Sequence, residues 1–98
     1  MAVKVLIKRT VPHDRLKDAI RLFRELRNLA LDQPGYISGE TLRRLGKPEE
    51  FLVISTWQSS DDWKKWAATE ERNAVQGKLD ALLGGKTEYE IFFHGFVE

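Results

Sequence analysis

Three tryptophans, the only ones in the chain, stand within ten positions of one another: Trp57, Trp63 and Trp66, in the run WQSSDDWKKW. Aromatic surface of that density either closes a core or walls a pocket in which a flat ligand packs. A second group lies near the end of the sequence, where Phe92, His94 and Phe96 alternate. An imidazole between two aromatic rings is a candidate general base, because its charge changes near neutral pH. The plainer role is a histidine at a strand end or at a contact between two chains. Lys8 is the third group. Its ammonium could stabilise an enolate or a carboxylate, or pair across strands with Glu88 or Glu90. His13, beside Pro12 in a turn, reads as solvated. The two histidines have no close metal-ligand spacing and no carboxylate cluster beside them, so no metal is expected.

The elements that must position these residues follow from periodicity. VKVLIKRTV (3–11) alternates like a strand, with Val3, Val5 and Ile7 on one face and Lys4, Leu6 and Lys8 on the other. Pro12 ends it. From about Asp14 to Leu31 the spacing predicts a helix, with Leu16, Ile20, Phe23, then Leu26 or Arg27, and Ala30 as its apolar stripe. Gln33-Pro34-Gly35 stops that helix. Residues 36–45 and 50–57 read as a hairpin around Gly46-Lys47-Pro48-Glu49. Ser59 with Asp62 marks the start of a helix over about Ser60 to Ala67, and Trp63 and Trp66 share one face of it. Thr69 offers a fresh cap for a second stripe at Val75, Leu79 and Leu82 or Leu83, and Gly84-Gly85 stops it. TEYEIFFHGFVE (87–98) reads as a last strand. The order β-α-β-β-α-β predicts a ferredoxin-like α+β plait in a single domain, residues 1–98.

Composition narrows the classes. The chain has 98 residues, 32% of them charged, and a net charge of +1. Nothing in that balance draws nucleic acid or an anionic membrane from a distance. RNA-recognition motifs share this element order, but they stack bases on aromatics of their first and third strands. VKVLIKR has no aromatic, and FLVISTW lacks the glycine–aromatic pattern, so no nucleic-acid partner is expected. The sequence contains no cysteine, which excludes disulfides, thiolate metal sites and thiol catalysis. The N-terminus lacks the apolar core of a signal peptide, and no apolar run approaches a membrane span. A cytoplasmic protein without a membrane partner is the expectation.

Two helices cover one face of such a sheet, so the other face should be polar where it meets water. Here it is mixed. Tyr89, Ile91 and Phe93 read as helix-facing, leaving Glu88, Glu90, Phe92, His94 and Phe96 opposite, and the third strand is apolar on both parities through Phe51, Val53 and Trp57 against Leu52 and Ile54. A second copy of the chain is the expected cover, giving a homodimer joined through its sheets. The space between the two sheets is then a candidate site.

The run FLVISTWQS (51–59), continuing to Trp66, together with Pro34-Gly35-Tyr36-Ile37-Ser38-Gly39-Glu40 after a long helix, resembles the antibiotic biosynthesis monooxygenase (ABM) family of the dimeric α+β barrel superfamily. The resemblance implies a dimeric barrel with a tryptophan in its pocket at Trp66. Its relatives include cofactor-independent monooxygenases that form quinones and others that degrade haem. In the haem-degrading branch the iron-binding histidine would fall on Gln76 and a first-strand asparagine near Lys8, so that chemistry is not expected. What is expected is a monooxygenase without a cofactor, acting on a small phenol or quinol. Trp66 would donate an indole N–H, His94 would take the proton, and Trp63, Phe92, Phe96 and Lys8 would form the pocket. A homodimer that binds a small aromatic molecule without catalysis is the alternative.

Overall fold

A computed structural model describes residues 1–96. Four strands form one antiparallel sheet in the order β2-β3-β1-β4: β1 is Val3–Thr10, β2 Tyr36–Arg44, β3 Lys47–Trp57 and β4 Glu88–Phe93. Between them run α1 (Leu16–Leu31), α2 (Ser60–Ala67) and α3 (Glu70–Leu83). This is the ferredoxin-like plait, with its helices on one face of the sheet. Among the described residues no helix is long and apolar enough to cross a membrane.

Both interior helix starts follow from their caps. Ser59 Oγ accepts from Asp62 N, and Thr69 Oγ1 accepts from Arg72 N, so each hydroxyl satisfies an amide that the helix itself cannot. The first helix begins later than the periodicity predicts, because His13–Arg15 form a single 3-10 turn behind Pro12. Its buried positions also differ from the expected stripe. Ala19, Leu22 and Ala30 are the fully buried ones, while Leu16, Ile20, Phe23 and Leu26 are half-buried. The reason is that α1 packs along α3 as well as over the sheet, and the small side chain of Ala19 permits close approach.

Gly35 holds the turn into β2. Its φ is +84°, and a Cβ there would stand 2.2 Å from Asp62 Oδ2, while its carbonyl accepts from Gln58 N at 2.8 Å. Only glycine lets the α1–β2 turn lie against the start of α2. A bulge then follows between Tyr36 and Ser38. It adds one residue to β2, so that Tyr36 faces Trp57 and Gly39 faces Ser55, both on the covered side.

β4 is shorter than expected. Its ladder ends where Phe93 meets Val3, the first residue of β1, so His94, Gly95 and Phe96 have no strand to pair with and form a turn. Val97 and Glu98, included in the predicted strand, lie outside the described residues. Tyr89, Ile91 and Phe93 do pair with Ile7, Val5 and Val3 on the covered side, as predicted. Tyr89 meets Trp63 of α2 and Arg72 of α3, yet Tyr89, Ile91 and Phe93 all stay exposed on this edge strand.

The interior is divided. One cluster gathers Val3, Val5, Ile7, Ala30 and the three tryptophans; the other gathers Val11, Ala19, Leu22, Phe51, Val75, Leu79 and Leu83.

Candidate functional site

A cavity of about 80 Å³ opens between the sheet and the helices. It therefore lies on the helix side of the sheet, within one chain. β1 contributes Ile7 and Arg9; α1 contributes Phe23, Leu26, Arg27 and Ala30; β2 and β3 contribute Tyr36, Gly39, Glu40, Thr41, Val53, Ser55 and Trp57. Trp63 and Trp66 of α2 and Arg72 of α3 complete it.

The wall is an aromatic stack. Trp57 is fully buried, its ring 6.4 Å from that of Trp66 and only 23° from parallel, while Trp63 meets it at 5.9 Å and 65°. Tyr36 stands edge-on to Trp57 at 5.3 Å. Trp57 Nε1 donates to Ser55 Oγ at 3.1 Å, which satisfies the indole inside the core. No acceptor among the described residues ties the indole N–H of Trp66 in the same way.

Against this wall lies a buried cation. Arg9 is 5% exposed. Its Nη2 donates to Gln76 Oε1 at 2.9 Å, and its guanidinium sits 5.2 Å over the Phe23 ring. Nε has no hydrogen-bond partner. Gln76 is fully engaged in turn, since its Nε2 donates to Asp80 Oδ1 at 2.8 Å and to Thr87 Oγ1 at 3.2 Å. Burial pushes the Arg9 pKa down, the nearby Arg72 charge acts in the same sense, and Tyr89 and Asp80 oppose them. Arg72 itself donates to Tyr89 Oη and lies over that ring at 5.4 Å. Among the described residues, no carboxylate forms an ion pair with Arg9, Arg27 or Arg72.

The residues proposed from sequence divide between two places. Trp63 and Trp66 stand together in the cavity wall. Lys8 and Phe92 lie on the opposite, open face, where Lys8 Nζ meets Glu90 Oε1 at 2.9 Å. His94 and Phe96 lie past the end of β4, exposed and outside the cavity lining. No cluster of three His, Asp or Glu side chains suited to a metal occurs among the described residues.

Sequence reasoning missed Arg9, Tyr36, Phe23 and Arg72 as lining residues. A signal for Arg9 existed. It continues the inward parity of Val3, Val5 and Ile7, and a cation on the buried parity of a strand is the anomaly that marks a site. No comparable signal marked Tyr36, whose position depends on the bulge.

The profile of the family described as antibiotic biosynthesis monooxygenase matches residues 2–78. The chain belongs to this family. Among solved structures it is similar to SnoaB from Streptomyces nogalater, described as a cofactor-independent oxygenase, with 21% identity, a TM-score of 0.86, and coverage of 98% of this chain and 95% of that one. A conserved protein from Methanosarcina mazei Go1 is 20% identical, with a TM-score of 0.87 over 94% of this chain and 91% of that one. Rv0793 from Mycobacterium tuberculosis is 11% identical, with a TM-score of 0.85 over 96% and 95%. At these identities the structural likeness establishes the fold of the ABM chain. No curated protein matches it by sequence.

Proposed function

We propose that this ABM-family protein is a cofactor-independent monooxygenase that oxidises a small phenol or quinol in the cavity between sheet and helices. The observation that carries the reading is the aromatic wall of Trp57, Trp63 and Trp66 beside positive charge, in a family with an oxygenase structural relative. Triplet oxygen reacts slowly with closed-shell molecules until they become electron-rich. Removing one proton from an activated ring CH₂ conjugated with the hydroxyaromatic system achieves this, giving a carbanion delocalised as a phenolate, and the positive field of Arg9 and Arg72 favours that anion. The Trp66 indole N–H donates to the phenolate oxygen. One electron passes from the anion to O₂, and the resulting radical and superoxide combine through a new C–O bond. The peroxide takes up the proton that the CH₂ released. Loss of water, with cleavage of the O–O bond and removal of the remaining C–H proton, leaves a carbonyl. One O₂ thus converts CH₂ to C=O and yields one H₂O.

Oxygen uptake and ¹⁸O₂ incorporation on a panel of hydroxyaromatics test this. One labelled atom should appear in the product, and Trp66→Ala should slow the reaction by about 10²-fold, the usual loss from one oxyanion donor. Because His94 lies outside the cavity lining, His94→Ala should leave turnover within about twofold; a fall of about 10²–10⁴-fold would restore it as the general base. Uptake no faster than in buffer, with every compound, overturns the oxygenase. The second reading, a non-catalytic binder of small aromatics, is favoured by one feature: the cavity lining includes no histidine.

We propose also that the open sheet face joins two copies into a homodimer. Leu42 and Phe92 are 44% and 48% exposed there, beside half-buried Leu6, Leu52 and Ile54. A patch of this kind favours a like partner. Sedimentation showing only the 11.3 kDa monomer at all concentrations would overturn it.

A further inference from the structure

We propose that the cavity selects single-ring aromatic acids, whose carboxylate is taken by Arg9. This names the substrate class of the site above and rests on that reading of the cavity. A guanidinium cannot shed its proton at ordinary pH, so a buried arginine needs an anion or a full set of acceptors. Arg9 is 5% exposed and has neither. Its protein neighbours are an amide oxygen at 2.9 Å, an aromatic face at 5.2 Å and the Tyr89 hydroxyl, and its Nε has no acceptor. Asp80 is a compensating carboxylate in the network, but it bonds to Gln76 rather than to Arg9. Arg72, a second cation, lines the same cavity and repels the first. A buried polar atom left without a partner calls for a cause, and a ligand carboxylate supplies one: a planar anion with oxygens to accept from Nε.

Size sets the rest of the ligand. The half-open space of about 80 Å³ is smaller than the roughly 150 Å³ of an apolar cavity that holds benzene. One ring, seated against the tryptophans and reaching into the mouth, is the limit for this conformation.

The probes are 2,5-dihydroxybenzoate and its neutral isostere 2,5-dihydroxybenzamide, titrated calorimetrically into the full chain at low ionic strength. The acid should bind at least about tenfold more tightly, as expected for a charge-assisted contact. Arg9→Met should bring the two within about twofold of each other by weakening the acid alone, and Arg9→Lys should retain part of the preference. If Arg9→Met does not fold, the pair Arg9→Met with Gln76→Leu leaves no orphaned amide oxygen and serves in its place. Equal affinity for acid and amide in the wild type, a preference that survives loss of Arg9, or no binding of the acid at millimolar concentration each overturns the carboxylate site. Oxygen uptake on neutral quinols without any acid preference would remove this site and keep the oxygenase. A preference without uptake would keep the site and remove the oxygenase.

Discussion

On the covered face of the sheet Val3, Val5 and Ile7 are followed by Arg9, whereas on the open face Leu6, Leu52 and Ile54 stand beside Lys4, Lys8 and Glu90. Each face contains what the other should have. A cation is buried among aromatics on one side, and aliphatic side chains meet water on the other. Burying an uncompensated charge and exposing contiguous apolar surface are both unfavourable for an isolated chain. They become favourable when something binds: an anion in the first case, a second apolar surface in the second. Two proposed roles that the sequence alone ran together thus fall on opposite faces, a ligand cavity on the covered side and an association surface on the open one.

The largest expected effect lies in the cavity wall, and it distinguishes core from site. Trp57 is 0% exposed and its indole N–H is bonded to Ser55, so Trp57→Ala should cost about 3–5 kcal/mol in chemical denaturation, enough to threaten folding. Trp66 packs on the same ring but lines the cavity, so Trp66→Ala should cost less stability and lower the affinity for a bound aromatic by about tenfold or more. If Trp66→Ala unfolds the chain while residual binding is intact, the wall is only core.

The open face is broken by a single charge. Ile54 faces Leu6 across β1 and Glu40 across β2, in the middle of the sheet. Ile54→Lys, which sets a cation opposite Glu40, should abolish self-association in sedimentation at a cost to the monomer of about 1 kcal/mol, the scale of strand-position substitutions. Aromatic binding should persist, since the cavity lies across the sheet. Simultaneous loss of both would mean that the two faces are not independent.

Much of this arrangement is legible in the sequence. Caps at Ser59 and Thr69 are local hydrogen bonds, so their spacing reveals them, and the inward parity of β1 and β4 follows from alternation. Two features were hidden for physical reasons. The bulge after Tyr36 inserts a residue without any break in polarity, so alternation cannot show that Tyr36 and Gly39 share a side. The end of β4 is set by where β1 begins, a tertiary fact, and this removes His94 and Phe96 from a strand whose composition continues past them. The tryptophan cluster was visible, but the expected site lay between two facing sheets, whereas the cavity lies on the helix side within one chain.

Haem supplies a sharper test of the covered face. Gln76 occupies the position at which the resemblance to haem-degrading relatives calls for a histidine. It is 6% exposed, with Arg9 on its oxygen and Asp80 and Thr87 on its nitrogen. A ligand atom so engaged is not free to bind iron, and an amide is a poor ligand for it. Haem with a reductant should therefore show no loss of the Soret band to ring-opened products. Turnover with stoichiometric binding would place the ligand elsewhere, with His94 the first residue to replace.

The smallest effect belongs to Lys8, and its dependence on pH and concentration tests the open face. The hydrogen bond and charge of Glu90 raise the Lys8 pKa above its ordinary 10.5, with Glu88 adding to them and desolvation opposing them. A folded-state value above the unfolded one gives stability that is fully present below about 10.5 and is lost as pH rises through the folded value. Both side chains are about half exposed, so at neutral pH Lys8→Met should barely move the unfolding midpoint. Turnover should not change, because Lys8 lies across the sheet from the cavity. In a monomer the small loss above pH 10.5 is the same at every protein concentration. If the face is covered by a second copy, the pair is dehydrated there, and deprotonating Lys8 also weakens association. The pH effect should then grow as the protein is diluted toward its dissociation constant, and Lys8→Met should remove that growth. A concentration-independent effect, or a loss of turnover in Lys8→Met at neutral pH, would break the division between the two faces.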